Sequence, residues 1–262
     1  MSRLLTRRHA SAASPLSGEQ LTVAWQSASL LLSYPDEELL EQLLVIDGAS
    51  ALLPTAMGEP LRELVRYVRN TPLEQLQTEY VETFDTRRRT NLFLTYFAHG
   101  DTRKRGMALL RFKQTYLRAG YQLPETGDGA ELPDHLCVVL EFGATVDPDA
   151  GWRLLTDHRA GLELLRLALR DSSSPWAPAL ELVCGTLPKL RGDEMDAVRR
   201  LAAEGPPEEE VGLTGYGDSD LVPGPIPGAA PGGPPIGRPT AHETTPEPLP
   251  FPTMPANAGG SR

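Results

Sequence analysis

The side chains with the most chemistry to offer lie in two short stretches. Tyr80-Val-Glu-Thr-Phe-Asp85 sets two aromatics one helical turn apart and ends on a carboxylate. Glu131-Leu-Pro-Asp-His-Leu136 gathers carboxylates and an imidazole beside a proline, with Glu141 about two turns beyond Asp134. His135 with Asp134 or Glu141 could exchange protons as an acid–base pair. The same carboxylates could instead line a groove and attract Arg or Lys on a partner. Spacing alone leaves both open. The other reactive types offer less. Five histidines, at 9, 99, 135, 158 and 242, show no HxxxH or HExxH pattern. A metal site from His99, His135 and Cys137 has no ligand spacing behind it. The two cysteines, Cys137 and Cys184, stand alone in apolar segments, which argues against a disulfide framework and for a reducing cytoplasm. Phosphate-binding glycine loops and a Gly-x-Ser-x-Gly elbow are absent.

The stretch from Tyr80 to Gly106 holds the densest mixture of aromatic and basic residues in the chain. Phe93, Tyr96 and Phe97 lie between the runs Arg87–Arg89 and Arg103–Arg105. RNA could use such a mixture. The net charge of −10 opposes it, because the overall field repels nucleic acid and favours a basic partner. The basic runs therefore read as solvated charges. An aromatic pair at i and i+4, such as Tyr80 and Phe84, is most simply a core pair. Asp134 and His135 could be ordinary first-turn residues, a carboxylate there being favoured by about 0.3–1 kcal/mol. As a binding set, the candidates are Tyr80, Phe84, Asp85, Phe93, Tyr96, Phe97, Asp134, His135 and Glu141.

These residues must be positioned by helices. Ser17 and Gln20 form a capping box before an apolar stripe of Leu21, Trp25, Ala28 and Leu32. Asp36 opens a second helix with Leu39, Leu40, Leu43 and Leu44 inward, and a third is expected from near Glu59 to Asn70. Thr71-Pro72-Leu73-Glu74 reads as a cap, a proline at N1 and a glutamate reaching back. Asp101 or Thr102 can cap a helix that packs through Leu109, Leu110, Phe112, Tyr116 and Leu117. Pro133 at N1 is expected to open a helix apolar over most of its circumference, and therefore central. Asp134, His135 and Glu141 would form a polar strip on it. Asp147-Pro148 is expected to start a long helix toward Arg170, and Ser174-Pro175 another. A last short helix runs from about Asp193 to Ala203. No period-2 strand is convincing before residue 204.

The reading is an all-α domain of about nine or ten helices over residues 17–204. Residues 1–16 read as a disordered basic arm. Arg7-Arg8 lacks the apolar run that an export signal needs after it. No apolar run reaches the roughly 20 residues of a membrane span. Pro and Gly make up 25 of the last 58 residues, so too few apolar side chains remain to offset ordering entropy. Residues 205–262 are therefore expected to be a disordered tail.

Taken together, Tyr80–Asp85, Leu94-Thr-Tyr-Phe-Ala-His-Gly-Asp-Thr102, Glu131–Leu136 with Val138–Phe142, and Leu31-Leu-Ser-Tyr-Pro35 resemble the nitrate reductase delta-subunit family. These are the NarJ-type molybdenum cofactor assembly chaperones, within the redox-enzyme maturation proteins. The similarity covers roughly residues 21–190 and omits the tail. It implies a non-catalytic, all-helical, cytoplasmic chaperone. Its partner would be the apo catalytic subunit of a respiratory nitrate reductase, including that subunit's N-terminal peptide. It would support molybdenum cofactor insertion without stably holding the cofactor, and would bind no nucleic acid. A chaperone of another molybdoenzyme, or a helical enzyme using His135 with Asp134 or Glu141, are the alternatives. In the chaperone reading, Asp85 and Asp134 contact client Arg or Lys and matter more for binding than for stability.

Overall fold

The computed structural model of the chain describes residues 14–123 and 131–204. The expected tail at 205–262, most of the N-terminal arm, and the loop expected at 124–130 lie outside the described residues. The protein is all-α, with eleven α-helices among the described residues.

Several starts are where local chemistry puts them. Helix α1 (Gly18–Leu32) carries the full Ser17–Gln20 capping box, and α2 (Glu37–Ala49) is capped by Asp36 accepting from the Leu39 amide at 2.8 Å. Other starts moved. Helix α3 (Thr55–Asn70) begins four residues before Glu59 and tolerates Pro60 within its second turn. Before α4 (Leu73–Tyr80), Thr71 does not cap; its hydroxyl bonds back to the Tyr67 carbonyl, finishing the preceding helix instead.

Helix α1 is the centre. It packs on α7 (Leu136–Thr145) and α10 (Ala177–Thr186), and α7 in turn packs on α8 (Pro148–Asp157). As its composition requires, α7 is buried nearly all round, with Glu141 and Thr145 its exposed exceptions. Helices α1, α7 and α8 meet at Gly143 and Gly151. A Cβ at Gly151 would lie 2.5 Å from the Gly143 Cα, and one at Gly143 would lie 2.7 Å from the Trp25 ring. Any larger residue would overpack this point, at about 1–3 kcal/mol. Trp25 itself is fully buried and donates to Thr186 Oγ1 at 3.0 Å, so its indole N–H is satisfied.

The expected long helix after Asp147 is two helices, α8 and α9 (Arg159–Asp171), broken at His158. His158 takes φ −109° and ψ 20°, outside the helical range, and its ring Nδ1 pairs with the Leu154 carbonyl at 2.8 Å, closing α8. Helix α9 packs on α10 and on α11 (Gly192–Glu204). A short helix, α5 (Leu94–His99), and α6 (Arg103–Arg118) occupy the aromatic–basic stretch. Only Phe112 and Tyr116 of α6 are buried; Leu110 and Leu117, expected to pack, face outward. On α2 the inward set is Leu39, Leu43 and Ile46, while Leu44 points to solvent, because an inward face centred on Leu39 and Leu43 returns at residue 46 rather than 44.

Candidate functional site

The aromatic–basic stretch, at Leu92–Leu94, and the Glu131–Leu136 stretch are stitched together by backbone. Leu94 N–H donates to the Asp134 carbonyl at 3.0 Å, and Leu136 N–H donates to the Leu92 carbonyl at 2.9 Å. This is a two-bond antiparallel bridge centred on Phe93 and His135. It has a local consequence. Pro133 and Asp134 lie in a turn closed by the His135 amide on the Leu132 carbonyl, and His135 is held extended, so Pro133 is not at N1; α7 starts at Leu136 with His135 as its N-cap. Asp134 and His135 therefore leave the first helical turn, and the expected polar strip with Glu141 does not form. The two side chains point to different places.

His135 faces a groove of about 510 Å³. Its floor is set by α4 and the π-helical turn that follows it, Val81–Asp85. A π-turn adds a residue to the helical repeat and re-aims side chains, a device often found at binding sites. Here it turns Tyr80 and Phe84 together onto Trp176, with ring centroids 4.7, 5.9 and 5.6 Å apart. Both rings are nearly buried, yet each shows an edge to the groove. The Tyr80 hydroxyl donates to the Leu32 carbonyl at 2.8 Å, which ties the floor to the end of α1. Asp85, last in the π-turn, stands exposed at the rim.

Phe93, Leu92, Tyr34, Tyr121 and Val138 complete the apolar wall, and Glu131 and Glu141 join Asp85 at the rim. Neither Lys nor Arg lines this groove among the described residues. It is therefore an apolar trough with a rim of three carboxylates. The His135 ring packs edge-on to Phe93 at 5.2 Å, and its Nδ1 is buried without a hydrogen-bond partner. Burial pulls the imidazole below its usual pKa, against the opposing pull of Glu131, Asp134 and Asp85. The neutral ring thus presents an unsatisfied nitrogen inside the groove. Burial pushes the Cys137 thiol up to about 12 and that of Cys184 to about 11, so neither is a ready nucleophile.

Asp134 is elsewhere. It is fully buried, where an exposed rim carboxylate was expected. Its Oδ2 accepts from the Thr95 amide at 3.1 Å and the Thr95 hydroxyl at 2.5 Å, and lies 3.7 Å from an Arg105 nitrogen. Arg105 also donates to Thr95 Oγ1 and to Asp101, and its guanidinium sits 5.3 Å and 5.9 Å from the Phe93 and Tyr96 ring centres. Tyr96 thus belongs to this knot, and it lines a second cavity of about 340 Å³ that shares Phe84, Asp85 and Phe93 with the groove. Phe97 lies apart from both, packed where a Cβ on Gly161 of α9 would lie 2.9 Å from its ring. Of the residues picked from sequence, Tyr80, Phe84, Asp85, Phe93, His135 and Glu141 share the groove; Tyr96, Phe97 and Asp134 do not line it.

The binding set drawn from the sequence left out Glu131, Tyr34 and Tyr121, which line the groove. Tyr34 had a signal: an aromatic between a helix end and Pro35 has no helical face to join, and it is half exposed. Its ring lies 5.5 Å from Tyr80. No group of three or more His, Cys, Asp or Glu among the described residues is placed to hold a metal ion. No helix among them is long and apolar enough to cross a membrane.

Residues 50–181, just over half of the 262, match the family described as nitrate reductase delta subunit. The matched span contains the π-turn, both bridged stretches and the whole Asp134 knot. The chain is 46% identical over 176 residues to the nitrate reductase-like protein NarX of Mycobacterium tuberculosis; this covers 66% of the chain and only 25% of that protein. It is 31% identical over 172 residues to NarJ of Bacillus subtilis, named for nitrate reductase molybdenum cofactor assembly, covering 64% of the chain and 90% of NarJ. A solved structure of a redox enzyme maturation protein from Archaeoglobus fulgidus aligns with TM-score 0.45 and 28% identity, over 64% of this chain and 92% of that one.

Proposed function

The chain belongs to the nitrate reductase delta-subunit family, and on that premise we propose that it is a non-catalytic chaperone of a respiratory nitrate reductase. Its client is the apo catalytic subunit. It grips the N-terminal peptide of that subunit in the groove and keeps the subunit competent to receive the molybdenum cofactor and to assemble. The cofactor is cargo for the client, not a resident of the chaperone. The setting is the cytoplasm, and nucleic acid has no part in it.

One observation carries the reading: an aromatic trough rimmed by Asp85, Glu131 and Glu141, inside the segment that matches the family. An amphipathic client helix would lay its apolar side chains against Tyr34, Tyr80, Phe84 and Phe93. Its Arg or Lys would reach the three carboxylates, which speed encounter more than they deepen affinity. The unsatisfied His135 nitrogen would take a client polar group, and leaving it bare costs on the order of 1–3 kcal/mol. Asp134 is assigned to the scaffold, because a fully buried carboxylate bound to Thr95 cannot meet a client cation at the rim.

Calorimetric titration with the N-terminal peptide of the nitrate reductase catalytic subunit tests the reading. The expected result is saturable binding that weakens as salt rises. Binding of another molybdoenzyme's peptide, with none to this one, would reassign the client. Failure of both would remove the groove as a client site.

A further inference from the structure

The four most exposed large apolar side chains among the described residues divide between two helices, and those helices carry opposite charge. On α2, Leu44 and Val45 are 73% and 72% exposed, beside exposed Glu37, Glu38 and Glu41. That helix contains no Lys or Arg. On α6, Met107 and Leu117 are 67% and 56% exposed, with Leu110 between them at 44%. Positions 107, 110 and 117 fall on one helical face. Arg111, Lys113 and Arg118 flank this stripe and are exposed. The sixteen residues of α6 include no Asp or Glu. In a chain of net charge −10, α6 is a cationic island.

We propose that these two faces are the halves of one contact, in which α2 of one copy docks against α6 of a second copy. An amphipathic helix exposes an apolar stripe at a cost unless something covers it. Among the described residues neither stripe is covered: α2 spends its other face on α3 and α1, and α6 spends its own on α5, on His158 through Phe112 and on Phe142 through Tyr116. Opposite charges around each stripe then choose the partner. Glutamates facing arginines and lysine give register and steering, and like faces repel, so α2 cannot pair with α2 nor α6 with α6. The net negative charge of the whole chain opposes association only weakly at physiological salt. It is screened beyond about 8 Å, within which the α2–α6 pairs lie once docked.

Size sets the strength. A sixteen-residue helix is roughly 24 Å long. One helix laid on another over that length falls short of the roughly 1,200 Å² of a stable specific interface. A two-fold dimer makes the contact twice, α2 on α6 and α6 on α2, and is the closed form that approaches this size. The association is accordingly weak and concentration-dependent. None of the stripe residues lines the groove, and the proposal does not rest on the chaperone reading.

Sedimentation velocity of the full chain over a concentration series tests it. At low salt the weight-average sedimentation coefficient rises with concentration, and high salt returns it toward the monomer value. Two charge-swapped variants give the decisive arm: Arg111→Glu with Lys113→Glu on α6, and Glu38→Lys with Glu41→Lys on α2. Each alone weakens self-association about tenfold or more, equivalent to about 1.4 kcal/mol. Mixed in equal amounts, the two variants associate with each other, because each supplies the charge the other lost. All four positions are exposed, and circular dichroism checks that both variants keep their helices. A monomer at every concentration, association indifferent to both swaps, or a mixture that stays monomeric overturns the proposal. So does binding of α6 to phosphatidylglycerol vesicles, lost in the α6 variant, with no self-association of the unmodified chain; that face would then belong to a lipid surface.

Discussion

The groove beside the π-turn and the knot around Asp134 use the same kinds of residue and differ in where water stops. Phe93 is the wall between them. Its ring packs against His135 in the groove, and Arg105 in the knot stacks on the same ring. On the groove side, Asp85, Glu131 and Glu141 keep their carboxylates in solvent. On the knot side, Asp134 is wholly buried and Arg105 is only 15% exposed. A charge at the rim has already made its bargain with water and can trade some of it for a partner. A charge in the knot has lost water and depends on Thr95 and Arg105 for compensation. Carboxylates a few residues apart in the family-matched segments thus stay in solvent in one case and are bound into the fold in the other.

The widest gap between the regions should open on removing the buried charge. Asp134→Ala leaves Arg105 without its interior counter-charge and the Thr95 amide and hydroxyl without their acceptor. The expected loss is about 3 kcal/mol of unfolding free energy, read by urea denaturation. Peptide affinity of the protein that remains folded should stay within about twofold. A stable variant that no longer binds peptide would erase the distinction between the regions.

The rim should behave in the opposite way. The combined variant Asp85→Asn, Glu131→Gln, Glu141→Gln removes three exposed charges, each worth about 0–1 kcal/mol in a pair. Peptide binding should weaken about tenfold at low salt, with the difference shrinking at high salt. The thermal midpoint should hardly move. A midpoint that drops while affinity holds would make the rim part of the scaffold.

Tyr80 tests the join between floor and frame. Tyr80→Phe keeps the ring against Phe84 and Trp176 but leaves the Leu32 carbonyl without its 2.8 Å donor. About 1 kcal/mol of stability should be lost, with peptide affinity unchanged, in thermal melts and calorimetry respectively. The smallest effect should come from acid. Burial lowers the pKa of both His135 and His158 below the ordinary value of 6.5. Below that pH the unfolded chain takes up protons that the folded chain refuses, so stability should fall with pH from about 6.5 down to the lowered folded values. His135→Gln should remove the groove's share of that slope and leave the share of His158. An unchanged slope would mean that the groove is wetter than its burial implies.

Helix identity was legible in the sequence because it depends on neighbours three and four residues away. The Ser17–Gln20 capping box, the Asp147-Pro148 start and the apolar circumference of α7 are local, and they specified helices and the central one among them, whereas the starts expected at Thr71-Pro72 and Pro133 moved. The aromatic content of Tyr80–Asp85 and the pairing of that region with Glu131–Leu136 were legible as composition and as family resemblance. Which carboxylate meets solvent was not, because it depends on a contact between residues about forty apart in sequence. The bridge at Phe93 and His135 spends the backbone of residues 134–136 on Leu92 and Leu94, delays the start of α7, and turns Asp134 inward onto Thr95 while His135 and Glu141 stay with the groove. The π-turn is likewise invisible locally, since Val81–Asp85 has ordinary helical composition and is widened only where Tyr80 and Phe84 must both reach Trp176. Side-chain types are carried by the sequence; exposure is a property of what packs over them, and only the tertiary structure decides that.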